Sequence, residues 1–105
     1  MHLTSFLQNG ELTIVLTGEI DHHCAKKYIN LISAKVEAYT PQICILDFQE
    51  VTFMDSSGIA VVINALRSMT RLEGKLLVSN MGQQPMRVLR TCGLDKLISV
   101  KEAVL

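Results

Sequence analysis

Tryptophan is absent from the chain, and three phenylalanines and two tyrosines supply all of its aromatic rings. A core without large rings must be built from Ile, Leu, Val, Met and Ala, a mix suited to helices packed on a sheet. A surplus of one charge is also missing, since ten basic residues balance ten acidic ones. Nucleic-acid binders draw much of their affinity from neutralising phosphates, so DNA and RNA are not expected partners. No apolar run approaches the roughly 20 residues of a membrane span, and no N-terminal signal segment is visible. A cytoplasmic domain with no membrane attachment is therefore expected. Cysteine is sparse: Cys24, Cys44 and Cys92 are odd in number, far apart and without a CxxC pair. They are read as reduced thiols acting as small hydrophobes, with no disulfide and no metal. Gly74 and Gly82 match no phosphate-binding loop, and no cofactor is expected.

What is present is a chain of 105 residues, 49% of them apolar. That length suits one domain spanning 1–105, and the apolar content is enough for a packed core. The balanced surface gives no sign of an obligate interface, so a monomer is expected.

The apolar pattern sets the element order. Leu3 to Leu7 and Leu12 to Thr17 read as strands joined at Asn9-Gly10, a strong hairpin signal. Gly18 is expected to break the second strand. From His23 to Tyr39 a helix is predicted, because Ala25, Tyr28, Ile29, Ile32, Val36 and Tyr39 recur at steps of three and four. Asp21 is its expected N-cap, and Thr40-Pro41 its stop, since a residue before proline leaves the helical region. Ile43 to Phe48 is almost wholly apolar and suits a central strand covered on both faces. Gln49 to Met54 reads as a loop. A second helix, opened by Asp55-Ser56-Ser57-Gly58 and reaching Leu72, would turn Ile59, Val62, Ile63, Leu66 and Met69 inward. Lys75 to Ser79 is the next strand, and Gln84 to Cys92 a third helix with Pro85 in its first turn and Gly93 just past its end. Leu97 to Val100 closes the pattern, and Lys101 to Leu105 has room for only about one further turn. The order β-β-α-β-α-β-α-β implies an α/β domain with a mixed, mainly parallel sheet, right-handed crossovers and helices packed on it.

The stretch Phe53-Met54-Asp55-Ser56-Ser57-Gly58 places two hydroxyls where a strand's C-terminal side turns into a helix, the edge at which open α/β folds bind ligands. The plain reading of Ser56 is an N-cap whose side chain accepts from first-turn N–H groups. Phosphorylation is the sharper reading. A phosphate there would add about −1.5 to −2 charges beside free N–H donors and the positive helix end. Asp55 adjoins it, Glu19 and Asp21 are expected in the neighbouring loop, and the motif holds no Arg or Lys. A new anion would then repel a partner rather than dock one. Gly58 leaves backbone accessible, and Ile59 offers an apolar contact. A nucleophilic Ser56 would need a base, for which His22 and His23 are candidates, but the GxSxG elbow is missing and no catalytic residue is assigned. His22, His23 and Cys24 point in different directions in a first helical turn, so surface histidines are favoured over a metal site. Arg67, Arg71 and Lys75 read as a solvated face.

Leu16-Thr17-Gly18-Glu19-Ile20-Asp21-His22-His23, Leu46-Asp47-Phe48, Phe53 to Ile59 and Gly93-Leu94 together resemble the STAS-domain anti-sigma factor antagonists, above all the sporulation branch acting on the anti-sigma F factor. The resemblance runs in order over nearly the whole chain. It implies a partner-switching cycle. An anti-sigma factor with serine kinase activity binds the domain and phosphorylates the first serine of D-S-S-G, here Ser56. The phosphorylated form lets go, and a PP2C-type serine phosphatase restores the form that frees the sigma factor. Asp21, Asp55, Ser57, Gly58 and Ile59 would make the partner-binding surface. The family usually ends with a longer C-terminal helix, of which Lys101 to Leu105 would make about one turn. Two other readings stay open: a STAS domain of a general stress-response circuit, and one that senses a nucleotide or lipid in the same groove.

Overall fold

A computed structural model describes residues 4–101, with the side chains of 99–101 left aside. The order is β1 (Thr4–Gln8), β2 (Glu11–Ile20), α1 (Ala25–Tyr39), β3 (Ile43–Met54), α2 (Ser57–Arg71), β4 (Lys75–Ser79), α3 (Gln83–Thr91), a 3-10 turn at Leu94–Lys96 and β5 (Ser99–Lys101). The strands form one sheet in the order β1-β2-β3-β4-β5, with β1 antiparallel to β2 and every later pair parallel. This is the expected α/β class with its antiparallel hairpin at one side. The turn expected beyond Lys101 and the start of the first strand at Leu3 lie outside the described residues. Among the described residues no helix is long and apolar enough to cross a membrane.

Two boundaries differ from expectation for one shared reason. Gly18 does not end β2, and Gln49 to Met54 is not a loop. β2 and β3 run on together to Ile20 and Met54, with register shifts between Val15 and Thr17 and between Gly18 and Glu19. Gly18 takes φ +76 beside the second shift, a conformation open to glycine at little cost. Gln49, Glu50 and Thr52 are polar because they face solvent, while backbone pairing keeps the segment extended.

Core side chains alternate along the strands, as the two-residue period requires. Leu12, Ile14 and Leu16 of β2, Cys44, Leu46 and Phe48 of β3, and Leu76 and Val78 of β4 are all buried in one cluster with α1 and α2 residues. The opposite face is only half covered, contrary to the expectation for β3. Its row Phe6, Thr13, Ile45, Leu77 runs from an exposed Phe6 to a half-buried Leu77, and Ile45, though only 8% exposed, stands outside the core cluster.

The helices follow their apolar spacing. α1 buries Ala25, Tyr28, Ile32 and Val36, whereas Ile29 lies at the rim and the terminal Tyr39 is 47% exposed. Thr40 ends α1 in the left-handed region at φ 41, its N–H bonded to the Val36 carbonyl. α2 buries Gly58, Ile59, Val61, Val62, Ala65 and Met69, with Ile63 and Leu66 half-buried. This stripe is broader than the expected face because α2 packs on both the sheet and α1. Gly93 adopts φ 75 after α3, as a C-terminal glycine should.

Candidate functional site

β2 and β3 both end at the carboxyl edge of the sheet, at Ile20 and Met54, so the segments that follow them lie side by side. The Asp55 N–H donates to the Ile20 carbonyl at 3.1 Å and ties the two together. One is the Asp21-His22-His23-Cys24 turn; the other is Asp55-Ser56, leading into α2. The expected proximity of the two loops therefore holds.

Asp55, rather than Ser56, serves the start of α2. Its Oδ1 accepts from the Ser57 N–H at 2.7 Å, and its carbonyl accepts from the Gly58 N–H at 3.0 Å. Ser56 occupies the N-cap position with φ −62 and ψ −20, already helical, and its side chain makes no capping hydrogen bond. A capping serine is normally extended there, which aims its oxygen at the first-turn donors. Here the hydroxyl is exposed to solvent instead, so the plain capping reading is overturned. The expectation of free N–H donors beside it is corrected too. The Ser57 and Gly58 N–H groups are held by Asp55, and the Ile59 N–H by the Ser56 carbonyl at 3.1 Å.

The neighbouring turn is similarly self-contained. Cys24 precedes α1 without a side-chain cap bond, so Asp21 is not the N-cap that the pattern suggested. Its carbonyl accepts from Cys24 and Ala25, and its Oδ1 accepts from the His23 N–H at 2.9 Å. Partial desolvation works against ionisation of Asp21, but the hydrogen bond from the His23 N–H, with the His23 ring and the Cys24 N–H close by, holds its carboxyl below its ordinary value. His23 Nδ1 lies 3.6 Å from Asp21 Oδ2, and its ring stands 3.9 Å from that of His22. Cys24 Sγ donates to the Glu19 carbonyl at 3.1 Å.

Among the described residues no hydrogen bond joins Ser56 to His22 or His23, and no group of three or more His, Cys, Asp or Glu residues is placed to hold a metal ion. Asp21, Asp55 and Ser57 are half-buried at this corner with Ser56 exposed between them. Gly58 and Ile59 are not surface contacts: Gly58 is buried against Met54 and Ile20, and Ile59 is 8% exposed. They support the corner from beneath. Sequence reasoning missed that support, including Gln84, which grips the Met54 peptide from α3. A glutamine thirty positions away in another helix carries no local signal of such a role.

Residues 7–104 match the STAS domain family. An anti-sigma F factor antagonist from Lysinibacillus sphaericus is 28% identical over 95 residues, covering 90% of this chain and 81% of that protein. An anti-sigma-B factor antagonist from Listeria monocytogenes is 27% identical over 93 residues, covering 86% and 78%. Among solved structures, the unphosphorylated anti-sigma factor antagonist SpoIIAA superposes with a TM-score of 0.83 at 24% identity, over 98% of this chain and 89% of that one. The phosphorylated form of SpoIIAA, described as a Bacillus cell fate determinant, gives 0.75 at 24% identity over 98% and 92%. With almost its entire length matched and its architecture shared, the chain belongs to the STAS domain family.

Proposed function

We propose that this domain is a cytoplasmic anti-sigma factor antagonist switched by phosphorylation of Ser56. Unmodified, it binds an anti-sigma factor that is also a serine kinase and so releases the sigma factor. Phosphorylation by that kinase ends the association, and a PP2C-type phosphatase restores it. The domain is then substrate and ligand, with no catalytic group or cofactor of its own. The observation that carries this reading is the Ser56 hydroxyl, exposed and unused by the helix start, on a corner fixed by backbone bonds beside Asp21 and Asp55. The names of the relatives support the antagonist role, and the two solved forms of SpoIIAA support a phosphorylation step. Asp21, Asp55 and Ser57 are assigned to the contact surface, with Gly58 and Ile59 beneath it.

The electrostatics give the direction. Two like charges about 6 Å apart at an interface repel by about 1–3 kcal/mol for effective dielectric constants of about 20–60, and a phosphate brings nearly two charges. Each 1.4 kcal/mol is about tenfold in affinity, so a loss of roughly one to four orders of magnitude is expected. The test is incubation with candidate anti-sigma kinases from the same genome and ATP, followed by mass spectrometry and binding measurements. A single phosphate on Ser56, absent from Ser56→Ala, together with weakened binding of the modified form, is expected. Absence of phosphate on Ser56 with every such kinase, or undiminished binding by the phosphorylated form, refutes the reading. The Listeria relative favours one second reading, service in a sigma-B rather than a sigma-F circuit. Measuring which anti-sigma factor binds decides between them.

A further inference from the structure

β3 outruns its neighbour β4. Their ladder ends at Asp47 opposite Ser79, whereas β3 continues to Met54 against β2 alone. Beyond Asp47, among the described residues, one edge of β3 therefore has no strand beside it. At Met54 a side chain closes that edge. Gln84 Oε1 accepts from the Met54 N–H at 2.8 Å, and Gln84 Nε2 donates to the Met54 carbonyl at 2.7 Å. A carboxamide presents an acceptor and a donor in one plane, so it takes the place that a neighbouring peptide would fill. A second tie runs the same way: Asn80 Nδ2 donates to Asp47 Oδ1 at 3.0 Å, where β4 gives out. Together the contacts fasten the first turn of α3 and the segment leading into it onto the part of β3 that leads to the corner.

Met54 is the residue before Asp55-Ser56. Its side chain is fully buried and lies under Gly58, while the next residue's N–H is bonded to Ile20. The end of β3 is thus gripped by β2 on one side and by Gln84 on the other. We propose that Gln84 is a positioning residue for Ser56: its two-point grip on the Met54 peptide fixes the direction in which β3 delivers Asp55 and Ser56, so modification of Ser56 depends on a side chain that does not touch it. The proposal rests on the reading of Ser56 as the phosphoacceptor, and its first test is independent of that reading.

Hydrogen exchange by NMR on the whole chain needs no partner. Gln84→Ala removes both bonds, and exchange at Met54 to Gly58 is expected to quicken roughly ten- to hundredfold, while the strand-centre amides of Ile14 and Leu46 change by less than about threefold. Gln84→Glu distinguishes positioning from bulk. Its carboxylate offers only acceptors to a site that needs a donor toward the Met54 carbonyl, whereas the protonated acid restores one of each. Local protection in Gln84→Glu, taken as a ratio to the unaltered protein at each pH, should therefore recover as pH falls from about 7 to about 4, through the ordinary glutamate range. Groups common to both proteins act on both alike and leave this ratio alone, and Gln84→Ala should show no recovery. With a kinase that modifies Ser56, Gln84→Ala should lower kcat roughly fivefold or more and change KM by less than about twofold. Unchanged exchange at Met54 to Gly58, equal acceleration at all sites, or a Gln84→Glu ratio insensitive to pH overturns the proposal. If no kinase modifies the unaltered chain, the Ser56 reading fails while the exchange data still judge the grip.

Discussion

Replacing Gly58 by alanine tests how tightly the corner is built, because two effects of opposite sign meet there. A Cβ at this position would overlap Met54 Cγ, reach 2.5 Å from Met54 Sδ and come to 3.3 Å from Ile20 Cγ2. Met54 and Ile20 are both fully buried, so Met54 has little room to swing clear. Overpacking of this kind costs about 1–3 kcal/mol. Alanine recovers up to about 1 kcal/mol of helix propensity. A net loss of about 1 kcal/mol follows, which lowers Tm by roughly 4–8 °C in a domain of this size. Thermal and urea unfolding followed by circular dichroism would read it. A Gly58→Ala variant as stable as the unaltered chain, or more so, refutes the reasoning, since propensity alone predicts stabilisation. A double-mutant cycle identifies the clashing partner. Met54→Ala by itself should cost about 2–5 kcal/mol, but in that background the Gly58→Ala change should turn neutral or favourable. An equal cost in both backgrounds would mean that Met54 is not what alanine strikes.

Asp55→Ala should cost about 1 kcal/mol, because it removes the carboxylate holding the Ser57 N–H, while Ser56→Ala should stay within about 0.5 kcal/mol; urea titration giving the reverse order would make Ser56 the cap after all. Tyr28→Phe should cost about 1–3 kcal/mol, since the buried hydroxyl donates to the Thr17 carbonyl at 2.8 Å and accepts from its N–H at 3.1 Å. A loss below about 0.5 kcal/mol in the same titration would show that Thr17 finds other partners. Burial pushes the Cys44 thiol up to about 12, so at pH 8 only roughly one in ten thousand is thiolate. Iodoacetamide should label the exposed Cys92 quickly and Cys44 only as the protein unfolds; fast labelling of Cys44 in the folded state would refute its burial.

Element order and sheet class were legible because apolar spacing records them directly. Ala25, Tyr28, Ile32 and Val36 repeat as a helix must, and all four are buried. The location of the site was legible as well, since D-S-S-G at a strand-to-helix junction marks the carboxyl edge of the sheet. Its internal chemistry was not. Whether Asp55 or Ser56 serves the first turn depends on the backbone angles at Ser56, and both residue types are good caps. Ile59 read as a contact residue because it follows the motif, yet one turn of helix carries it inward. The ends of β2 and β3 escaped notice for another reason. Near the end of β2 the Tyr28 hydroxyl serves the Thr17 peptide; where β4 stops, the Gln84 carboxamide serves Met54. Both are contacts between residues far apart in the chain, and composition or periodicity does not record them.

Those two closures bear on how a phosphate at Ser56 would act. A phosphate alters a partner's affinity either by reshaping the loop that carries it or by adding charge to a loop that stays put. Reshaping would need donors or cations to draw the phosphate inward. The Ser57, Gly58 and Ile59 N–H groups are already bonded within the corner, and neither Asp21 to Cys24 nor Asp55 to Gly58 contains Lys or Arg. The loop is also held from three directions, by Ile20 through Asp55, by Gln84 through Met54, and by Gly58 seated on the Met54 side chain. On the proposed reading the switch is therefore one of charge. Ser56→Asp should weaken partner binding in part while leaving Tm within a few degrees. A Ser56→Asp variant that loses binding only because its first α2 turn exchanges freely would place the mechanism in shape instead.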